Sequence, residues 1–177
     1  MSTSPFDPPG IDAAGNSKIV FVKAIADLSA PKLAEIKAGT DLSCALYSFE
    51  PSTEQSTVTR TKYCYKQATE SLGRATTKIE AVEYDYNPQN LADTAYGYYS
   101  VLTPGTTGWI IDRRGLDAKT VDFAADQIVD IYPVTLGARS RVAVDSSAEG
   151  EKLRTRQAIA VSGEPLEMVV LGRILGL

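Results

Sequence analysis

Four short patterns in this 177-residue chain have residue types that could do chemistry. Ser29-Ala-Pro-Lys32 has the S-x-x-K spacing of penicillin-recognising serine enzymes, where a lysine lies one turn from a nucleophilic serine. The S-D-N and K-T-G motifs that complete such a site are absent, and Ser29 ahead of Pro31 makes a good helix N-cap. Asp85, Asn87 and Gln89 open like a calcium loop, but Asn90 stands where glycine is required and Tyr96 where the bidentate glutamate belongs. Pro104 to Trp109, PGTTGW, has two glycines but no lysine for a phosphate loop, so a turn is the simpler reading. Glu164 and Glu167 could in principle serve as the acid pair of glycoside hydrolysis, yet such pairs are ordinary at a solvated strand edge. Histidine, the commonest general base and metal ligand, is missing altogether. Cys44 and Cys64 are the only cysteines, expected as reduced, buried, small apolar residues. They could form a disulfide only if their strands were neighbours. No enzyme, metal or cofactor reading finds residues to stand on.

The bulk numbers narrow the class. An apolar share of 44% is ample for a core, and the length suits one domain. A net charge of −4 argues against a protein that grips nucleic acid through its phosphates. No window is long and apolar enough for a membrane helix, and the start MSTSPFDPPGIDAAGNSK lacks the basic and apolar blocks of a signal peptide. The expectation is a protein that stays in the cytoplasm of the cell that makes it.

The elements that would position any site are mostly strands. Residues 1–17, rich in Ser, Pro, Gly and Asp, read as a flexible arm preceding a single domain over 18–177. KIVFVKAIA (18–26) and DLSCALYSF (41–49) read as strands, separated by a helical turn or two that Ser29 caps and Gly39 stops. STVTRTKYCYK (56–66) and ATTKIEAVEYDY (75–86) alternate and read as one extended polar hairpin over 56–86. On its first strand Thr57, Thr59, Thr61, Tyr63 and Tyr65 share one face, with Val58, Arg60, Lys62, Cys64 and Lys66 on the other. Residues 88–102 read as the one substantial helix, with Leu91, Ala95, Tyr98, Tyr99 and Leu102 at three-to-four-residue spacing. Strands follow at 108–114, 127–139, 153–163 and 165–174. The fold class is therefore mainly β: an antiparallel β-sandwich or barrel of about seven strands with one flanking α-helix.

Charge is unevenly spread. Arg60, Lys62, Lys66, Arg74 and Lys78 against Glu70 give the 60–78 segment a net +4, leaving −8 for the rest. A solvated face explains that equally with a basic hairpin that docks on an acidic surface of another copy, head to tail. Within KIEAVEYDY (78–86), Glu83 and Asp85 share strand parity and Glu80 does not.

In combination, KIVFVKAIADLSAPKLAEIKAGTDLSCAL (18–46), TKYCYKQ, YDYNPQN, TPGTTGWIIDRRG (103–115) and VDIYPVTLG (129–137) resemble the major tail (tail tube) proteins of long-tailed, non-contractile phages infecting actinobacteria. The likeness runs in order over roughly residues 18–171. It implies a β-sandwich or barrel with a flanking helix, and six copies to a ring. Stacked rings make a β-lined channel for the genome, with a hairpin and terminal arms bridging the rings. Implied partners are other copies of the chain, the tape measure protein, the tail terminator and distal tail or baseplate proteins, and DNA passes without specific binding. The virion tail is the implied location.

On that basis Glu83 and Asp85 are expected to face the lumen, because like-charge walls keep a polyanion from sticking. Arg60, Lys62, Lys66, Arg74 and Lys78 are expected at contacts between rings. Ordinary outer-surface acids are an equal account of Glu83 and Asp85. Two rival functions remain at this point. One is the inner tube of a type VI secretion-like system. The other is a monomeric β-sandwich carbohydrate-binding module, which would show a row of exposed aromatics.

Overall fold

A computed structural model describes residues 9–90, 93–145 and 147–172. A seven-stranded antiparallel sheet runs in the order β2 (Thr40–Asp41), β1 (Ser17–Val22), β6 (Thr107–Arg114), β7 (Ile128–Arg141), β8 (Arg154–Val161), β5 (Val82–Asp85), and β9 (Leu166–Val170) also pairs with β7. The fourteen-residue β7 serves two partners on one side, meeting β9 near Ile128 and β8 beyond Val134. A separate two-stranded sheet is formed by β3 (Pro51–Arg60) and β4 (Thr69–Ile79).

Strand parity divides the apolar residues between two cores. Ile19 and Phe21 of β1, Ile110 of β6 and Tyr132, Val134 and Leu136 of β7 pack on one face with Val82, Tyr84 and Leu102. Val20, Val22, Ile111, Val129 and Ile131 pack on the other with Ile36, Phe123 and Leu171. Central strands buried on both faces explain why β1 and β6 read as continuous apolar runs. Each such side chain contributes roughly 1.5–3 kcal/mol of transfer free energy.

The turn-forming chemistry departs from the sequence reading in three places. Helix α1 is only Leu33–Lys37 and is capped by Glu35, whose carboxylate accepts the Lys32 N–H at 3.3 Å. Ser29 instead donates its hydroxyl to Asp27 at 2.6 Å, so it neither caps the helix nor faces Lys32 as a nucleophile. Gly39 is needed for space: a Cβ there would lie 2.4 Å from Val20 Cγ1.

The 41–49 strand shrinks to β2. Asp41 accepts both the N–H and the hydroxyl of Ser43, an Asx-type turn that bends the chain out of the sheet. Leu42 is still buried, but Cys44 is exposed, as is Cys64, so both cysteines are free surface thiols rather than core residues.

The expected helix over 88–102 becomes a 3-10 turn at Thr94–Tyr96 followed by α2, Gly97–Val101. Asp93 supplies the cap by accepting the Ala95 N–H. Leu91 lies outside the described residues. The packing side of the prediction holds, since Tyr98, Tyr99 and Leu102 all meet the first core.

A buried arginine and a half-buried one anchor the loops. Arg113, 1% exposed, donates to the carbonyls of Leu116, Asp117, Val121 and Asp122 and to the Gln127 side chain. Its guanidinium also lies 5.3 Å from the Phe123 ring centre, so one side chain organises the whole β6–β7 connection. Burial pulls its pKa down from the ordinary arginine value. Arg139 donates to the carbonyls of Tyr99 and Leu102, holding the end of α2 against β7.

Candidate assembly interface

The hairpin is displaced from its predicted frame. Its strands are 51–60 and 69–79, and TKYCYKQA (61–68) is the turn, not strand. The rest of the predicted second strand leaves the hairpin at Glu80, and Val82–Asp85 joins the main sheet as β5 beside β8. The alternation expected over 57–66 holds only as far as Arg60, with Thr57 paired to Leu72 and Val58 to Ser71 on opposite faces, whereas Thr61 to Lys66 lie in the turn. Between Gln55 and Thr57 the register shifts, because Gly73 and Arg74 together oppose Ser56. A β-bulge of this kind sharpens the twist of a strand pair.

Nearly every residue of the hairpin is exposed on both faces, and only Ile79 at its root is buried. An isolated two-stranded hairpin is marginal in water, so this one is an unfinished structure. Val58, Tyr63, Tyr65 and Leu72 are the large apolar residues it offers to solvent, Tyr63 fully exposed. Arg60, Lys62 and Lys66 gather at the tip, Arg74 sits at the bulge, and Lys78 near the root pairs with Glu54 at 3.4 Å. The Lys62 ammonium lies 5.7 Å from the Tyr65 ring centre. The five cations predicted as contacts are thus on one element, with three of them concentrated at its far end.

On β5 the burial pattern alternates: Val82 and Tyr84 enter the core while Glu83 and Asp85 share the opposite face. Glu80 lies before the strand and is exposed. Both acids are engaged by cations that the sequence reading did not pair with them. Arg154 of β8 bonds Glu83 at 3.1 Å and also Glu151 at 3.2 Å. Lys152 lies 3.9 Å from Asp85, whose carboxylate also accepts the Tyr47 hydroxyl at 2.6 Å. That bond raises the Tyr47 pKa above its usual value. In register, Glu83 faces Arg156 and Asp85 faces Arg154, so the face is a checkerboard of charge. The signal was present in the sequence as the alternation of Arg154 and Arg156 in LRTRQ.

Residues 1–8 of the predicted arm lie outside the described residues, and Ser17 already belongs to β1. The stretch between is exposed but tied down, with Gly115 donating to Asn16 and Ala118 to Gly15, each at 2.8 Å. Below it lies an open groove of about 710 Å³ lined by Ile11, Asp12, Phe49, Glu50, Pro51 and Arg114 among others. The tyrosines of α2 form no binding row: Tyr98 and Tyr99 pack edge-on against buried Tyr84. Among the described residues no cluster of three or more metal-ligating side chains is found.

The domain thus projects a bare, charged hairpin that buries almost nothing of its own. The chain belongs to the phage tail tube protein family, whose family model matches residues 5–173. It is a structural protein of the virion tail, and membership implies self-association into a tube alongside other tail proteins. No curated protein sequence matches it.

Proposed function

We propose that the protein polymerises as stacked rings, six copies to a ring, around a channel through which the genome leaves the virion. The observation that carries this is the hairpin: two strands with no core of their own, a net +4 over residues 60–78, on a body that is otherwise acidic. A neighbouring copy supplies the missing burial and the opposite charge. Arg60, Lys62, Lys66, Arg74 and Lys78 make contacts between rings in this reading, and residues 1–17 add a second bridge. The tape measure protein, a tail terminator and distal tail proteins are the expected partners at the ends and in the lumen, after synthesis in the host cytoplasm.

The Glu83/Asp85 face lines the channel as a charge-balanced wall. Arg154 and Lys152 are held by carboxylates, so passing phosphates meet few free cations and no strong counterion release. Negative-stain microscopy of concentrated protein tests the assembly, with rings or tubes about 100 Å across expected from a hexamer of small domains. Persistent monomers, even when preformed tail tips are added, would oppose it. A map of the assembled tube with Glu83 and Asp85 outside the channel would remove them from the lumen.

A further inference from the structure

The hairpin tip and the groove at the hairpin root are complementary, and we infer that the tip of one copy seats in the root groove of the next. This rests on the self-assembly reading above and adds the surface on which it acts. From Arg60 to Thr69 the tip carries Arg60, Lys62 and Lys66 with no acid, interleaved with exposed Tyr63 and Tyr65. Its needs are therefore an apolar floor and free carboxylates. The groove supplies Ile11, Phe49 and Pro51 as apolar lining, with Asp12 and Glu50 lining it beside them. Its one cation, Arg114, is already bonded to Asp112 at 2.6 Å, and that bond holds the Arg114 charge in place. Asp112 itself is buried and accepts the Ser17 hydroxyl at 2.7 Å. Three carboxylates against one guanidinium leave the groove two negative charges in excess. Among the described residues neither Asp12 nor Glu50 has an ion-pair partner.

Other grooves fit the tip less well, because the charges lining each of them balance. Lys18 and Lys119 are matched by Asp41 and Asp85 in the one beside α2, Lys119 by Asp117 in the one beneath Tyr47, Lys23 by Glu35 beside α1, and Lys152 by Asp85 beside Pro88. A cation-rich tip entering any of these finds no excess of negative charge.

A chain cannot fill its own groove. Phe49, Glu50 and Pro51 lead directly into β3, and the ten residues of that strand carry the tip roughly 33 Å away at about 3.3 Å per residue. The occupant is therefore a second copy, and the contact is heterologous, repeating in one direction between stacked rings.

The test uses the native Cys64 at the tip. Protein carrying Cys44→Ser and Glu50→Cys is concentrated and mildly oxidised, with an Asp12→Cys version in parallel. A ladder of disulfide-linked species is expected on non-reducing electrophoresis, and it should vanish when Cys64→Ser is added. Polymers that form without this cross-link from either groove position would overturn the docking site and leave the tube intact. Chains that stay monomeric and unlinked on preformed tails would overturn both. As a readout independent of thiols, Lys62→Glu with Lys66→Glu should abolish polymerisation, and adding Asp12→Lys with Glu50→Lys should restore it. A folded four-site variant that polymerises no better than the two-site one would also refute the pairing.

Discussion

Glu83 and Arg154 stand diagonally across β5 and β8 on the face away from the core, with the guanidinium 3.1 Å from the carboxylate. The same guanidinium lies 4.9 Å from the Tyr47 ring centre. Both partners are about a quarter exposed, so the pair is worth more than a fully solvated one but is still screened. Arg154→Ala should cost about 1 kcal/mol in urea unfolding. Arg154→Ala with Glu83→Ala should cost less than the two single changes added together, as a double-mutant cycle would read.

Removing residues 52–78 and joining the ends through a short flexible linker should leave a folded monomer. The hairpin contributes Ile79, at its root, to the core and otherwise almost entirely exposed residues. Thermal unfolding followed by circular dichroism should move by only a few degrees, whereas polymerisation should be lost. A collapse of the fold would mean that the hairpin stabilises the monomer.

Gly108 faces β1 at van der Waals distance. A Cβ there would lie 2.6 Å from Phe21 Cζ and 2.7 Å from the Val22 carbonyl oxygen, both parts of a packed core strand. Gly108→Ala should destabilise the protein by about 1–3 kcal/mol through overpacking, measured by chemical denaturation.

Alkaline pH should unfold the first core. Tyr84 is fully buried, its hydroxyl donates to Gln157 Oε1 at 2.7 Å, and burial pushes its pKa from 10.0 up to about 12. The folded pKa lies above the unfolded one, so the neutral phenol's contribution is whole below pH 10 and is lost as pH rises towards about 12. Tyr98 and Tyr132, likewise raised to about 12 by burial, act in the same direction. Stability measured across this window should fall, with cooperative ionisation of the three phenols on unfolding.

Arg113→Ala should be among the most damaging single changes, at about 3–5 kcal/mol. It would strand the carbonyls of Leu116, Asp117, Val121 and Asp122 in the β6–β7 connection. Arg113→Lys should recover only part of the loss, since an ammonium cannot span the same carbonyls. Hydrogen exchange across 115–127 would report the loosening directly.

The strands β1, β6, β7 and β8 were legible because burial on one or both faces writes a long apolar or alternating record. The hairpin frame was not. In TVTRTKYCYK the Thr, Lys and Tyr residues alternate whether or not they are paired, and an exposed strand has no core to fix its register. The 41–49 segment misled for the opposite reason. Leu42, Ala45 and Leu46 are apolar enough for a strand, but Asp41 turns the chain at Ser43, and the Ala45 and Leu46 N–H groups bond back to the Leu42 carbonyl. Parity on β5 was readable in advance, while the neutralising partners of Glu83 and Asp85 come from seventy residues further along and needed the fold. Arg113 left no local signal, because five of its acceptors are assembled by a loop.

The hairpin points away from the groove at its own root, and this has a consequence for how the tail begins and stops. A polymer joined by the proposed docking has two unlike ends, one presenting empty sockets and the other unused plugs. In that reading a starter and a finisher are different molecules, one shaped for each end.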